Sequence, residues 1–405
     1  MNKLQDLIDT LCPDGVEYEK FNNICTYIRG VTYNKSKEVN EDFNAYKVLR
    51  ANNICLNTSS IIYNEIKFIS NTVKVKEEQF LKKNDILICA GSGSKEHIGK
   101  VAFISEDINF IFGGFMGVIR INSNLLLPKY LFYLLGSNIF KKYLKYSLNS
   151  STINNLNSQI MNNFKIPLPP IEIQSEIVRI LDNFTELTAE LTAELTARKK
   201  QYEYYREKLL TFGDEVERVE LGKCIDLVMG VSPKKETFSN NKYNGIEFHQ
   251  GKSFFGNIYI NNSNIYTSKP LKFASKNSIL MSVRAPVGDT NLTDREIAIG
   301  RGLCSISGKS NVKNKYLYYF LKTYIVEIKR KSTSSTFEGI KTDEIKKIKI
   351  PLPPLEEQQK IVDILDRFDV LCNDITKGLP AEIEARQKQY KYYRDKLLTF
   401  KEKTK

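Results

Sequence analysis

Residues able to do chemistry are sparse in this chain. Its two histidines, His97 and His249, stand far apart in Gly- and Lys-rich stretches, and no Ser/His/Asp arrangement forms around either. The run GSGSKEHIGKV (91–101) resembles a phosphate-cradling loop, but its spacing is one residue too long and Val101 stands where a Ser or Thr is required. It reads as a turn between two strands. No DPPY- or NPPY-like tetrapeptide occurs, which argues against a base aminomethyltransferase. The seven cysteines (Cys12, Cys25, Cys55, Cys89, Cys224, Cys304, Cys372) include no CxxC pair and read as reduced thiols in cores, so no metal site is expected. Paired carboxylates such as Glu356 and Glu357 read as solvated helix surface. The chain offers no active site of its own.

What remains suits holding a polyanion. The formal charge is +13 and the pI near 9.1, a balance that favours nucleic acid as partner. Phosphates are held by Lys, Arg, Ser, Thr and backbone N–H groups, while base edges are read by Arg, Asn, Gln and His from loops. LRANNI (49–54) offers Arg50, Asn52 and Asn53, and the 91–101 turn offers Lys95, His97 and Lys100. FHQGKSFF (248–255) offers His249, Gln250 and Lys252. Arg284 in VRAPVGD and Arg301 in GRG extend from small residues that permit close backbone approach. Hydroxyls at Ser151 and Thr152, and at Ser335 and Thr336 beside Lys331, follow basic stretches and form candidate phosphate sites.

The elements that must position these loops are written twice. KIPLPPIEIQSEIVRILDNF (165–184) returns as KIPLPPLEEQQKIVDILDRF (349–368), and ARKKQYEYYREKLLTF (197–212) returns as ARQKQYKYYRDKLLTF (385–400). The first pair is offset by 184 residues and the second by 188, so the later copy holds four more residues between its blocks. KYLFYLL (129–135) resembles KYLYYFL (315–321), and VEYEKFNNICTYIRGVT (16–32) runs parallel to VERVELGKCIDLVMGVS (216–232). The predicted organisation is an N-terminal helical segment 1–13 near the C-terminal helices, a variable domain 14–165, a helical region 166–212, a second variable domain 213–348 and a second helical region 349–405.

Each variable domain reads as mixed α/β. KVLRANNI, DILICAG, KVAFIS, GVIRI, NIYI and SILMSV have strand character, with Gly- and Asn-rich turns between them, and a helix is expected from about Pro128 to Tyr146. The helical regions open after PLPP, where prolines are tolerated. Their apolar seams, Leu191, Leu195, Tyr202, Tyr205 and Leu209 in one and Ile383, Tyr390, Tyr393 and Leu397 in the other, predict antiparallel seam-to-seam pairing. KGLP (377–380) should kink or restart the second helix near Pro380. No run of about 18 apolar residues occurs, so no membrane span is expected.

The duplicated IPLPP and AR-KQY-YYR-KLLTF blocks, with SVRAPVGDTNLTDREIAIGRGL (282–303), resemble specificity subunits of type I restriction-modification systems over essentially the whole chain. The resemblance implies an α+β fold: two mixed α/β target-recognition domains joined by two long antiparallel coiled-coil helical regions, with an internal pseudo-two-fold repeat. It implies double-stranded DNA as ligand, each domain reading half of a bipartite site. It also implies two modification (methyltransferase) subunits docked on the conserved helices and their apolar seams, joined by restriction (translocase-nuclease) subunits, in the cytoplasm. S-adenosylmethionine, ATP and Mg are then expected on those partners and no cofactor on this chain. TAELTAELTA (188–197) becomes a caliper whose length sets the gap between the reading domains. Two other readings are a specificity chain for a fused restriction-methyltransferase enzyme and a protein–protein scaffold that binds no DNA. The unequal spacing within the two helical regions departs from a symmetric spacer.

Overall fold

The computed structural model describes every residue except Met1, Phe43, Asn57, 94–96, 150–154, 285–286, 332–339, Ile375 and 404–405; the side chains of Asn2, Asn149 and 326–331 also lie outside the description. Two units form, Met1–Ala189 with Ala385–Lys405, and Glu190–Glu384.

The first unit begins α1 (Asn2–Leu11), β1 (Glu17–Lys20), α2 (Phe21–Ile24), β2 (Cys25–Arg29), β3 (Glu38–Val39), β4 (Tyr46–Leu49) and β5 (Lys67–Ile69). It continues β6 (Ile86–Cys89), β7 (Val101–Phe103), β8 (Phe110–Phe112), β9 (Met116–Ile121), α3 (Pro128–Gly136), α4 (Asn138–Asn149), α5 (Ser158–Asn162) and β10 (Lys165–Leu168), then enters the 40-residue helix α6 (Ile171–Leu210). The second unit runs β11 (Arg218–Glu220), α7 (Leu221–Cys224), β12 (Ile225–Met229), β13 (Phe238–Ser239), β14 (Ile246–His249), β15 (Tyr266–Thr267) and β16 (Phe273–Ala274). It closes with β17 (Ile279–Ser282), β18 (Thr290–Leu292), β19 (Ile297–Ile299), β20 (Leu303–Gly308), α8 (Asn314–Lys331), α9 (Thr342–Lys346), β21 (Lys349–Pro351), α10 (Leu355–Asn373) and the start of α11 (Leu379–Leu397).

The duplication read from the helices extends to the sheets. Strands β2-β9-β6-β7 of the first unit and β12-β20-β17-β18 of the second form antiparallel sheets of one topology. The second sheet of each unit contains one parallel pair, β4 with β8 and β14 with β19. The apolar runs ILIC of β6 and ILMS of β17 are buried at all four positions, as expected of central strands covered on both faces. Of the expected strands, NIYI makes only an isolated bridge, Tyr259 to Leu292. The helix expected over Pro128–Tyr146 breaks at Ser137 into α3 and α4, where the Ser137 hydroxyl donates to the Leu134 carbonyl at 2.6 Å.

The shared residues of the two copies build one joint twice. Gln174 is fully buried; its Oε1 accepts the Leu127 N–H at 2.9 Å and its Nε2 donates to the carbonyls of Leu125 and Pro169, both at 2.8 Å. Gln358, equally buried, does the same with the Lys313 N–H (2.9 Å) and the carbonyls of Asn311 (3.0 Å) and Pro353 (2.9 Å). Asp182 accepts from the Tyr133 hydroxyl (2.5 Å) and Lys129 (2.6 Å), as Asp366 accepts from Tyr319 (2.7 Å) and Lys315 (2.5 Å). Tyr130 and Tyr316 donate to the carbonyls of Pro167 and Pro351. Within each unit the variable domain is thereby bolted to its helix by a fully buried, hydrogen-bonded glutamine, flanked by a partly exposed Asp–Lys pair.

Helix pairing follows the antiparallel order but not the predicted partners. In the first unit Phe184 of α6 stacks on Tyr393 of α11, centroids 5.6 Å apart at 24°. In the second, Tyr205 of α6 stacks on Phe368 of α10 at 5.6 Å and 25°. Tyr202 and Tyr390 therefore do not meet as a paired seam: Tyr202 stacks on Phe368 and Tyr390 meets Tyr133 edge-on. Each seam packs on the preceding conserved block of the other copy, because that block carries the complementary aromatic. The restart at KGLP is present: α10 ends at Asn373 and α11 begins at Leu379, with Asp374 Oδ1 accepting the N–H groups of Thr376 and Lys377. A side chain at Gly378 would stand 2.3 Å from the Val370 carbonyl, so the turn requires glycine. The break falls in the stretch that holds the later copy's four extra residues, which do not lengthen a continuous helix.

Candidate nucleic-acid interface

The candidate loops, scattered along the sequence, are gathered by backbone hydrogen bonds at the ends of the central strands. In the first unit the Gly113 N–H donates to Leu49 (3.0 Å), Val31 to Phe112 (2.8 Å), Gly30 to Met116 (3.1 Å), Ala90 to Phe115 (2.8 Å) and Leu156 to Ala90 (2.7 Å). The second unit repeats all five: Gly300 to His249 (2.8 Å), Val231 to Ile299 (3.0 Å), Gly230 to Leu303 (2.9 Å), Val283 to Gly302 (3.0 Å) and Ile340 to Val283 (3.1 Å). The close approach explains the glycine shared by TYIRGVT and DLVMGVS. A Cβ at Gly30 would lie 2.1 Å from the Gly113 carbonyl, and one at Gly230 would lie 2.2 Å from that of Gly300.

In the second unit this gathering sets Arg301, in the 300–303 turn, beside Arg284, which follows Val283. Both arginines are exposed. Ser232 ties the cluster together: its hydroxyl donates to Gln250 Oε1 (2.8 Å) and accepts the Arg301 N–H (3.2 Å). Gln250 is exposed and its amide nitrogen is available to a base edge.

Two expected readers of this unit serve the fold instead. His249 is fully buried, with Nε2 2.7 Å from Glu247 and its ring edge-on to Phe254. Glu247 also accepts from Arg295 Nε (2.7 Å) and Nη2 (2.9 Å) and from the Ser263 N–H (3.0 Å). Burial works to raise the Glu247 carboxyl, but the bonds from His249, Arg295 and Ser263 prevail and hold it at about 2, below its ordinary 4.5. His249 thus supports the strand end from inside and does not reach a base. Lys252 is paired with Asp289 and its charge is already engaged.

The first unit shows the same division. Asn52 is exposed. Asn53 is fully buried: its Oδ1 accepts the Arg50 N–H at 2.9 Å and its Nδ2 donates to the carbonyls of Ile62 and Asn64, both at 3.0 Å, pinning the loop that follows. Lys100 donates to the carbonyls of Ala51 (2.8 Å) and Ile54 (3.0 Å), which fixes the 91–101 turn to the 51–54 turn. Arg50 is half-buried with Nη2 on the Glu65 carbonyl, and His97 is half-buried in the turn before Gly99. Lys95, Ser151, Thr152, Ser335 and Thr336 lie outside the described residues, and Lys331 lies in α8 with its side chain outside them.

The seam residues are core rather than an open docking face. Tyr202, Leu195 and Leu209 pack in the second unit's core with Tyr205 on Phe368, while Tyr390, Tyr393 and Leu397 pack in the first unit's. Leu191 and Ile383 are half-buried. On the same helices Tyr204 (58% exposed) and Tyr392 (62%), equivalent in the two blocks, face solvent.

Sequence reasoning missed Arg29, Ser232, Glu247, Arg295 and Phe115. Arg29 links the segment before α5 to the 113–115 turn, donating to Asn155 Oδ1 (3.1 Å), the Leu156 carbonyl (2.9 Å) and the Gly114 carbonyl (2.9 Å). The repeated glycine next to Arg29 was the available signal; nothing in the sequence marked the buried Glu247–Arg295 pair.

Among the described residues no group of three or more His, Cys, Asp or Glu side chains is placed to hold a metal ion, and no helix is long and apolar enough to cross a membrane. The family model for the type I restriction modification DNA specificity domain matches residues 13–198 and again 213–385. The specificity subunit assigned to the MjaX type I restriction enzyme of Methanocaldococcus jannaschii is 34% identical over 93% of this chain and 92% of its own length. The EcoR124I/EcoR124II specificity subunit of Escherichia coli is 38% identical over 58% of this chain and 63% of its own length. Among solved structures, a chain from a type I R-M system described for its complex assembly and conformational transition aligns with TM-score 0.65 and 23% identity, over 95% of this chain and 97% of that one. The HsdS subunit of Thermoanaerobacter tengcongensis aligns with TM-score 0.55 and 23% identity over 96% and 98%. With two matched copies spanning most of its length and the same doubled architecture, the chain belongs to the family of type I restriction-modification DNA specificity subunits.

Proposed function

We propose that this chain reads a bipartite duplex DNA target for a type I assembly, one half-site per unit, and performs no chemistry itself. The observation that supports this best is the doubled apex: five equivalent backbone bonds hold corresponding loops in each unit, and exposed Arg284, Arg301, Gln250 and Asn52 occupy them. Arginine suits guanine O6/N7, and Asn or Gln suits adenine N6/N7. The chemistry belongs to two modification subunits and the restriction subunits, which carry S-adenosylmethionine, ATP and Mg in the cytoplasm. Since the seams are internal, partner docking falls to exposed positions of the conserved helices such as Tyr204 and Tyr392. A mobility shift of the purified complex on duplex DNA across a salt series tests the reading. Binding that weakens linearly in log–log form with salt is expected; binding of proteins but of no duplex at any salt would establish the scaffold alternative instead. Mass spectrometry of the native complex separates the remaining alternative, finding separate modification and restriction chains or a single fused one.

A further inference from the structure

Phe115 occupies the apex of the first unit's loop cluster with 73% of its surface exposed. Its position is fixed. The turn is closed by the Met116 N–H on the Gly113 carbonyl at 2.7 Å, and the Phe115 carbonyl accepts both Ala90 (2.8 Å) and Gly91 (3.0 Å). Gly114 brings the chain so close to residue 32 that a Cβ there would stand 2.7 Å from Thr32 Oγ1. The ring lies beside Gly91, where a Cβ would be 3.1 Å from Phe115 Cδ1.

The fold does not require this ring. In the second unit the equivalent residue is Gly302, whose carbonyl accepts the Val283 N–H at 3.0 Å just as Phe115 accepts Ala90. The turn closes the same way there, with the Leu303 N–H on the Gly300 carbonyl at 2.9 Å. One apex therefore presents a rigid phenyl group and the other a bare backbone beside Arg301. A phenyl ring offers no hydrogen bond to a base edge; it offers shape and stacking.

We propose that Phe115 is an apolar wedge, entering a base step of the half-site read by the first unit. The inference rests on the DNA reading above and adds a specificity residue to it. Apolar wedges partly unstack a step, and pyrimidine–purine steps unstack most readily. The half-site of this unit should therefore contain a TA or CA/TG step at the wedge.

The test uses the full chain in complex with its modification subunits and duplexes carrying the methylation-mapped target. 2-Aminopurine replaces one base at a time through the first half-site, away from the methylated adenine. The parent should brighten the probe at one step; Phe115→Ala should abolish that signal and weaken binding roughly 5- to 100-fold, while Phe115→Leu keeps most of both. Preference at the other half-site and the thermal transition should not move, since the ring is exposed. If the parent binds its target and no step brightens, or Phe115→Ala binds as the parent does, the wedge is refuted and the DNA reading stands. Loss of preference at a single thymine without brightening refutes it in favour of a methyl contact. A parent complex that binds no duplex overturns both.

Discussion

Replacing Gln358 with leucine keeps a fully buried side chain of broadly similar size and removes three hydrogen bonds at once. Each bond contributes about 1 kcal/mol net, and an orphaned buried partner costs about 1–3 kcal/mol. The Pro353 carbonyl is buried and stays unpaired, whereas Asn311 is exposed and regains water. The expected loss is about 2–4 kcal/mol, which for a unit of this size lowers its melting temperature by roughly 6–12 °C. Gln174→Leu should impose the same loss on the other unit, because its three bonds are equivalent. Calorimetry on the full chain, with hydrogen exchange to assign the transitions, reads both effects. Gln358→Leu should strip protection from the amides around Asn311–Lys313 and the start of α10, leaving Leu125–Leu127 unchanged. A melting transition that stays within about 1 °C, or protection lost equally in both units, would refute the argument that these glutamines bolt each domain to its helix.

Further expectations concern charge, titration and the helix core. Arg284→Ala or Arg301→Ala should change recognition of only the half-site read by the second unit, by about 1–3 kcal/mol if a base contact is lost; methylation mapping decides, and unchanged affinity, salt slope and sequence preference in both variants would make those loops ordinary turns. Glu247, held at about 2 against an ordinary 4.5, stabilises the second unit above pH about 4.5, and that contribution is lost as pH falls through about 2. The parent should therefore lose thermal stability more steeply than Glu247→Gln across that window, and parallel curves would count against the network. Tyr202→Asp puts a carboxylate beside buried Asp369, whose own carboxyl burial already pushes up. It should cost several kcal/mol in the second unit alone, as Tyr390→Asp should in the first, each read by its own melting transition.

Much of the architecture was legible because identical side chains do identical work. KYL, PLPP, the buried glutamine and the following LD recur since each copy must build the same joint from the same donors and acceptors. The sheets share a topology with only partial identity of sequence, because a central strand needs only an apolar run; ILIC and ILMS satisfy it equally. A seam specifies an apolar stripe and not its complement, so it does not name the helix partners: Phe184 and Phe368 lie outside the seam pattern. For the loops, residue type alone could not separate readers from struts. Asn52 and Asn53 are neighbours, yet one faces solvent and the other is consumed by three internal bonds. His249 has the sequence setting of a loop reader, but it ends β14 and points to the core, beside Glu247. Phe115 went unnoticed since an isolated aromatic in a glycine-rich run carries no signal until the turn is seen.

Whether helix length sets the distance between the two half-sites is tested most directly by the TAEL words. Thr192, Ala193 and Glu194 are exposed and Leu195 half-buried within α6, so deleting Thr192–Leu195 leaves the helix pattern intact. The deletion shortens the helix by about 6 Å and turns it by a net of about 40°, against about 3.4 Å between adjacent base pairs. Genome-wide mapping of methylated sites should be done for the parent, this deletion and a four-residue insertion. Two unchanged half-sites are expected, with an unspecified spacer shorter by about one to two base pairs in the deletion and correspondingly longer in the insertion. An unchanged spacer across all three chains, or altered letters within either half-site, would contradict a spacer set by helix length.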